Sequence, residues 1–186
     1  EYEAVSEEIP LPDENGGTDA TLFMTSYLRL NAEKTGRPIL FAFNGGPGSA
    51  SVFLHLGGLG PQIIDLGDGI SAPFDPPFRM KENAACILDI CDMVFMDPVG
   101  CGYSRALTGD AVKKYASSQE DAKAMLLGID RFLSRHKRWN CPIFILGESY
   151  GTVRAALMAQ QLYENMLGNT CNALNIHAAG VILVGS

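Results

Sequence analysis

Ile143-Phe144-Ile145-Leu146-Gly147-Glu148-Ser149-Tyr150-Gly151 sets a short apolar run directly before a G-x-S-x-G turn, and the chain then passes into a helix-forming run from Thr152 to Asn165. Such a strand-to-helix turn is so tight that its central residue sits in a strained backbone conformation. Side chains two residues to either side would collide with neighbouring backbone, and glycine at 147 and 151 removes those clashes. The serine hydroxyl is thereby held out at the end of the sheet, beside the first amides and the positive dipole end of the helix. Ser149 is the candidate nucleophile. A bare G-x-S-x-G recurs by chance in many proteins, but here both the strand before it and the helix after it are present.

A second glycine-rich loop strengthens the reading. Pro38 to Phe43 (PILFAF) reads as another short buried strand and runs into Asn44-Gly45-Gly46-Pro47-Gly48-Ser49, before the apolar stretch Val52 to Leu56. Acyl transfer needs donors aimed where the tetrahedral oxygen develops negative charge, and backbone amides serve if no side chain obstructs them. Gly45 and Gly46 leave their amides open, and the residue after the nucleophile, Tyr150, offers another. A plain glycine-rich turn is the blander alternative. A nucleotide phosphate loop is rejected, because no G-x-G-x-x-G and no G-K-[ST] is present and Pro47 removes an amide that a phosphate would use.

At these residues the chain resembles the serine carboxypeptidases of the α/β-hydrolase superfamily. The resemblance rests on Asn44 to Gly48 (NGGPG), Leu59-Gly60-Pro61, Asp97 to Ser104 (DPVGCGYS) and Gly147 to Thr152 (GESYGT), in the family's order and at about its spacing. The wording is most similar to the bacterial branch. The resemblance implies an α/β-hydrolase fold, a mostly parallel sheet flanked by helices. It also implies Ser149 as nucleophile, an oxyanion hole of the Gly46 and Tyr150 amides, and Asn44 and Glu148 holding the substrate's terminal carboxylate. A glutamate facing a carboxylate ligand must carry a proton to donate a hydrogen bond, which fits an acidic working range. The same resemblance sets Tyr103 at the pocket, against the plainer reading that it packs a tight turn. Three positions depart from the family pattern: Ala42 stands where many members carry tryptophan, Gly58 where they carry glutamate, and Ser49 where they carry a disulfide cysteine. The first two leave an esterase or acyltransferase on the same scaffold as an alternative; a fold that has lost catalysis and serves as a non-catalytic binding module is another, and predicts no acid and histidine downstream.

The triad cannot be completed within these residues. In such enzymes the acid and the histidine follow the serine in the chain, yet after Ser149 there is no aspartate, one glutamate and one histidine. Glu164 lies about 20 Å along the helix from the serine at 1.5 Å per residue and reads as a surface residue. His177 precedes the apolar run Ala179 to Val184, a further parallel strand, and so falls at the opposite sheet edge from Ser149. His136 belongs to the basic run Arg135 to Arg138, read as a solvated helix C-terminus. His55 is read as a helix-packing residue. The expectation is that the 186 residues are the N-terminal portion of one catalytic domain, with the acid and histidine beyond residue 186 and this piece alone inactive.

With 47% hydrophobic residues the chain can bury a core without metals or staples, and no cofactor or metal is expected. A net charge of −7 argues against nucleic acid. No stretch reaches membrane-spanning length and the start lacks a signal-peptide pattern; the resemblance implies a peptide or small acyl compound as the partner. Cys86, Cys91, Cys101, Cys141 and Cys171 form an odd set without C-x-x-C, which tilts toward a reducing compartment, cytoplasmic unless a leader precedes residue 1. Elsewhere, Glu1 to Gly17 reads as a tail or edge and Ala20 to Leu30 as an antiparallel edge strand. Gln62 to Leu66 reads as a short strand before the turn Gly67-Asp68-Gly69 and the Pro-rich loop Pro73 to Pro77, and Met93 to Met96 as a core strand. Ser117 to Arg138 is the clearest helix, with a Ser117/Glu120 capping box and an apolar face at Ala122, Met125, Leu126, Ile129, Phe132 and Leu133.

Overall fold

Two five-residue segments, Ile39–Phe43 (β3) and Asp92–Met96 (β6), are buried at every position, as strands in the middle of a parallel sheet must be. They lie side by side, parallel, in a computed structural model that describes residues 1–13, 15–67, 77–168 and 174–185. On its other side β3 pairs in parallel with Ile143–Glu148 (β8), which pairs in parallel with Ala178–Val184 (β9). An antiparallel arm completes the sheet: Tyr2–Pro12 (β1) and Thr18–Arg29 (β2) form a hairpin docked on β6, with the short Arg105–Ala106 (β7) also on β2. The order is β1-β2-β6-β3-β8-β9.

β2 alternates as its sequence predicts, with Ala20, Leu22, Met24, Ser26 and Leu28 pointing inward, but it is no edge strand. β1, from the acidic start, takes the edge and carries Pro10 and Pro12 there, where a missing amide costs no ladder bond. Gln62–Ile64 (β4) forms, but pairs with Met80–Glu82 (β5) in a separate two-stranded sheet. Asp68, Gly69 and Pro73 to Pro76 lie outside the described residues, as does Cys171.

Alternation along β3 sorts the core. Ile39, Phe41 and Phe43 face the helices Gly109–Tyr115 (α2), Ser118–His136 (α3) and Gly151–Met166 (α4), while Leu40 and Ala42 face a smaller cluster with Met93, Phe95 and Leu146. All six apolar residues predicted for the α3 face are fully buried there. Burying a side chain of this size stabilises by roughly 1.5–3 kcal/mol. Val52–Leu54 (α1) and a π-helical segment, His55–Leu59, cover the second face.

Two details of α3 differ from the sequence reading. Ser117 is the N-cap, but its hydroxyl makes no capping bond and Glu120 instead lies near Lys123 at 3.9 Å. The helix also stops at His136, because Lys137 turns left-handed at φ 57°, and this drives Arg138 into the protein. Arg138 is 2% exposed and donates to Asp92 Oδ2 at 2.6 Å, while Arg37 donates to Asp92 Oδ1 at 2.8 Å. Burial by itself raises the Asp92 carboxyl, but the Arg29 amide, Arg37 and Arg138 outweigh it and leave the group below its ordinary value. His136 is not solvated either: its ring stacks on Phe132 at 4.2 Å and Nε2 meets Glu7 Oε1 at 2.6 Å. The basic run is thus a junction between α3, β1 and the start of β6, because the helix lays its C-terminus against those strands.

Candidate active site

Ser149 has φ 56°, one of three non-glycine residues in the left-handed region among the described residues, a conformation that costs of order 1–3 kcal/mol and persists where the surroundings enforce it. They do so through backbone. The Ser149 amide donates to the Val184 carbonyl at 2.9 Å, and the Ser149 carbonyl accepts from the Thr152 amide at 2.9 Å and its hydroxyl at 2.8 Å. A Cβ on Gly147 would fall 2.0 Å from the Gly151 carbonyl oxygen, so the first glycine of the motif is required by the helix crossing over it.

Parallel pairing in register sets Phe43 beside Gly147, so the loop after β3 and the turn after β8 leave the sheet together. They meet without side chains: a Cβ on Gly45 would lie 2.4 Å from the Tyr150 nitrogen and 2.6 Å from the Gly151 nitrogen. Gly46 follows at φ 110°, joined to Pro47 by a cis peptide. Asn44, Gly46, Glu148 and Ser149, with Ser49, Phe53 and Leu54, line an open cleft of about 440 Å³. Among the described residues no side chain hydrogen-bonds the Ser149 hydroxyl, which stays available to a ligand in that cleft.

Asn44 is 3% exposed and held at several atoms. Its Nδ2 donates to Glu148 Oε2 at 2.9 Å, its Oδ1 accepts from the Leu54 amide at 2.9 Å, and its carbonyl accepts from Arg154 at 2.8 Å. Tyr103 is 68% exposed and is not among the cleft-lining residues; its ring packs on Phe23 at 5.0 Å. Its amide and that of Ser51 donate to the Asp97 carboxylate, at 3.2 and 2.8 Å. Asp97 therefore ties the turn after β6 to the loop after β3. Sequence reasoning missed this tie and missed Arg154 and Asp121; the signal for the last two was a charge set in an apolar helical face.

None of the described histidines lines the cleft. His55 Nε2 meets the Tyr27 hydroxyl at 2.6 Å and its ring stacks on Phe95 at 4.6 Å, and burial lowers its pKa. His177 is exposed at the start of β9, about 20 Å from the Val184 end that meets Ser149, at ~3.3 Å per residue. Burial raises the Cys101 thiol and pushes that of Cys91 up to about 11. Cys86, Cys91, Cys101 and Cys141 are free thiols. Among the described residues no cluster of metal-ligating side chains occurs, and no helix is long and apolar enough to cross a membrane.

A strained serine at a strand-to-helix turn, facing a glycine loop from the neighbouring parallel strand, is an arrangement of the α/β-hydrolase fold. The fold is similar to that of a prohormone-processing carboxypeptidase from Saccharomyces cerevisiae, at a TM-score of 0.73 and 20% identity, over 97% of this chain and 38% of that one. A peroxisomal alpha-beta-hydrolase of the same yeast superimposes with a TM-score of 0.51 at 12% identity, over 98% of this chain and 44% of that one. Residues 14–183 match the serine carboxypeptidase family model, and the chain belongs to that family. It is 30% identical over 160 residues to the retinoid-inducible serine carboxypeptidase of Mus musculus, covering 83% of this chain and 32% of that protein. It is 25% identical over 157 residues to serine carboxypeptidase S10 family member 1 of Dictyostelium discoideum, covering 83% and 34%. The chain spans about a third of the length of these relatives.

Proposed function

We propose that this chain carries the nucleophile and oxyanion hole of a serine-type carboxypeptidase that removes C-terminal residues from peptides through an acyl-enzyme on Ser149. The single observation that carries the reading is the left-handed Ser149 at the floor of the cleft it shares with Gly46 and Asn44. A histidine takes the hydroxyl proton as Oγ attacks the scissile carbonyl carbon, and the amides of Gly46 and Tyr150 stabilise the oxyanion. The C–N bond then breaks, the terminal residue leaves with that proton on its amine, and water hydrolyses the ester. Asn44 and Glu148, bonded to each other beside Ser149, are well placed in this reading to receive the terminal carboxylate, with the Gly45 amide alongside.

The base and its acid come from outside the 186 residues, since His55 and His136 are bonded elsewhere and His177 stands at the far sheet edge. The outer strand β9 leaves Val181, Ile182, Leu183 and Val184 exposed, which supports further sheet packing against it. In this reading the chain is the N-terminal portion of one catalytic domain and is inactive by itself. Ala42 and Gly58 favour a second reading, an ester-cleaving or acyl-transferring enzyme on the same scaffold.

The test uses the protein made from its natural gene, exposed to a fluorophosphonate and weighed intact, beside Ser149→Ala. One adduct on the wild type and none on the variant supports the nucleophile; equal labelling overturns it. Rates on a blocked dipeptide against a neutral ester then separate the two readings, a faster ester with no dipeptide cleavage displacing the carboxypeptidase.

A further inference from the structure

Arg154, at 2% exposure, is the largest fully buried side chain among the described residues, on the helix that follows the elbow. Its Nε donates to Asp121 Oδ2 at 2.7 Å and its Nη1 to the Asn44 carbonyl at 2.8 Å. The guanidinium carbon lies 5.4 Å from the ring centres of both Phe43 and Tyr150. One cation thus touches the end of β3, the residue that opens the glycine loop and the residue after the nucleophile, and is anchored to α3 by a carboxylate. Burial raises the Asp121 carboxyl while Arg154 pulls it down, so the pair carries a desolvation cost that packed apolar residues would avoid.

The Asn44 carbonyl and the Gly45 N–H belong to one peptide plane. The side-chain bonds of Asn44 fix its amide group, whereas the bond from Arg154 fixes that plane and polarises it, since a charge-assisted bond on a carbonyl strengthens the N–H across the peptide. We infer that Arg154 is a positioning residue, whose buried guanidinium sets the Asn44–Gly45 peptide and the Tyr150 segment relative to each other so that the loop and elbow donors converge above Ser149. This inference rests on the proposed reading of Ser149 as nucleophile.

The test compares Arg154→Met/Asp121→Asn, Asp121→Asn and Arg154→Lys with the wild type in the full-length protein, on a neutral ester, with Ser149→Ala as background. The double variant removes the ion pair as a unit and so avoids stranding a buried charge. Its kcat is expected to fall about 100-fold with KM nearly unchanged, the scale of a misplacement near 1 Å. Asp121→Asn leaves an acceptor for Nε and the bond to Asn44 in place, and is expected to stay at least about 10-fold above the double variant. Lysine keeps the charge but is a point donor without the fork that spans Asp121 and Asn44, so Arg154→Lys is expected to keep its melting temperature and lose about 10-fold in kcat. A double variant or Arg154→Lys with wild-type kcat overturns the inference, as does an equal fall in Asp121→Asn and the double variant, which would assign the effect to the ion pair. If the wild type shows no Ser149-dependent hydrolysis, the reading of the nucleophile falls. A crystal structure of the double variant then decides the inference: a rotated Asn44–Gly45 peptide upholds it, and residues 44–46 superimposing within coordinate error overturn it.

Discussion

Gly45→Ala tests how closely the two loops of the cleft must approach. An added Cβ would sit 2.4 Å from the Tyr150 nitrogen, 2.6 Å from the Gly151 nitrogen and 2.8 Å from the Glu148 carbonyl oxygen. All three are backbone atoms at a turn already held by Val184 and Thr152, so no side chain can swing away. Ordinary contact begins near 3.4 Å, which means that the loop and the elbow must part by about 1 Å, the difference between 3.4 and 2.4 Å. Overpacking of this kind costs about 1–3 kcal/mol of stability, and a 1 Å misplacement of catalytic groups costs about 100-fold in rate, or roughly 2.7 kcal/mol. The assay is the rate of Ser149 labelling by a fluorophosphonate and of ester hydrolysis, with thermal unfolding followed in parallel. Gly57→Ala is the control, because nothing lies within 4 Å of a Cβ there; it is expected to match the wild type in all three. A Gly45→Ala protein that labels at the wild-type rate and melts at the wild-type temperature would refute the reasoning, since it would show that the loops have room that the backbone distances deny.

Asp92→Asn is expected to cost about 3 kcal/mol or more at neutral pH, because Arg138 is left buried with its charge uncompensated; equal urea midpoints for variant and wild type would sink that expectation. The pH sign follows from the lowered Asp92 pKa: the stabilisation is present above the unfolded value near 3.9 and is lost as pH falls through the lower folded value. The gap between the two urea midpoints should therefore stay constant from pH 7 to about 5 and close in strong acid, whereas a gap that widens on acidification contradicts the assignment. Cys91, pushed up to about 11 by burial, should resist iodoacetamide at pH 8 in the folded protein and react once urea unfolds it; modification at the rate of a free thiol without unfolding would show that the site is open.

Most of the longer elements were legible because each rests on local rules, whereas the short β5 and β7 and the helix α2 were not. Burial of β3 and of Met93 to Met96 in β6 follows from unbroken apolar runs, and the α3 face from its 3.6-residue period. Gly46 and Ser149, which line the cleft, could be named in advance because glycines at such spacings are demanded by backbone that turns sharply and packs closely, whereas Asn44 and Glu148 were named through the family resemblance. What failed were particular assignments that depend on which segments become neighbours. The strand from Thr18 to Arg29 alternates as a half-buried strand would, and alternation cannot say whether a partner lies on one side or two; β1 supplied the second. The run Arg135 to Arg138 has the composition of a solvated helix end, yet a left-handed Lys137 turns Arg138 onto Asp92, far off in the chain.

The sequence by itself determined that a serine would stand on a strained turn between strand and helix with a glycine loop able to face it, because backbone conformation and steric access are set within a few residues. Only the tertiary structure decided that β3 and β8 lie parallel and in register, so that Gly45 meets the Tyr150 amide. It alone placed Asp97, Asp121 and Arg154 behind the two loops. Such ties join residues tens of positions apart and form only when burial removes the water that would otherwise satisfy each charge, so no local pattern in the chain announces them.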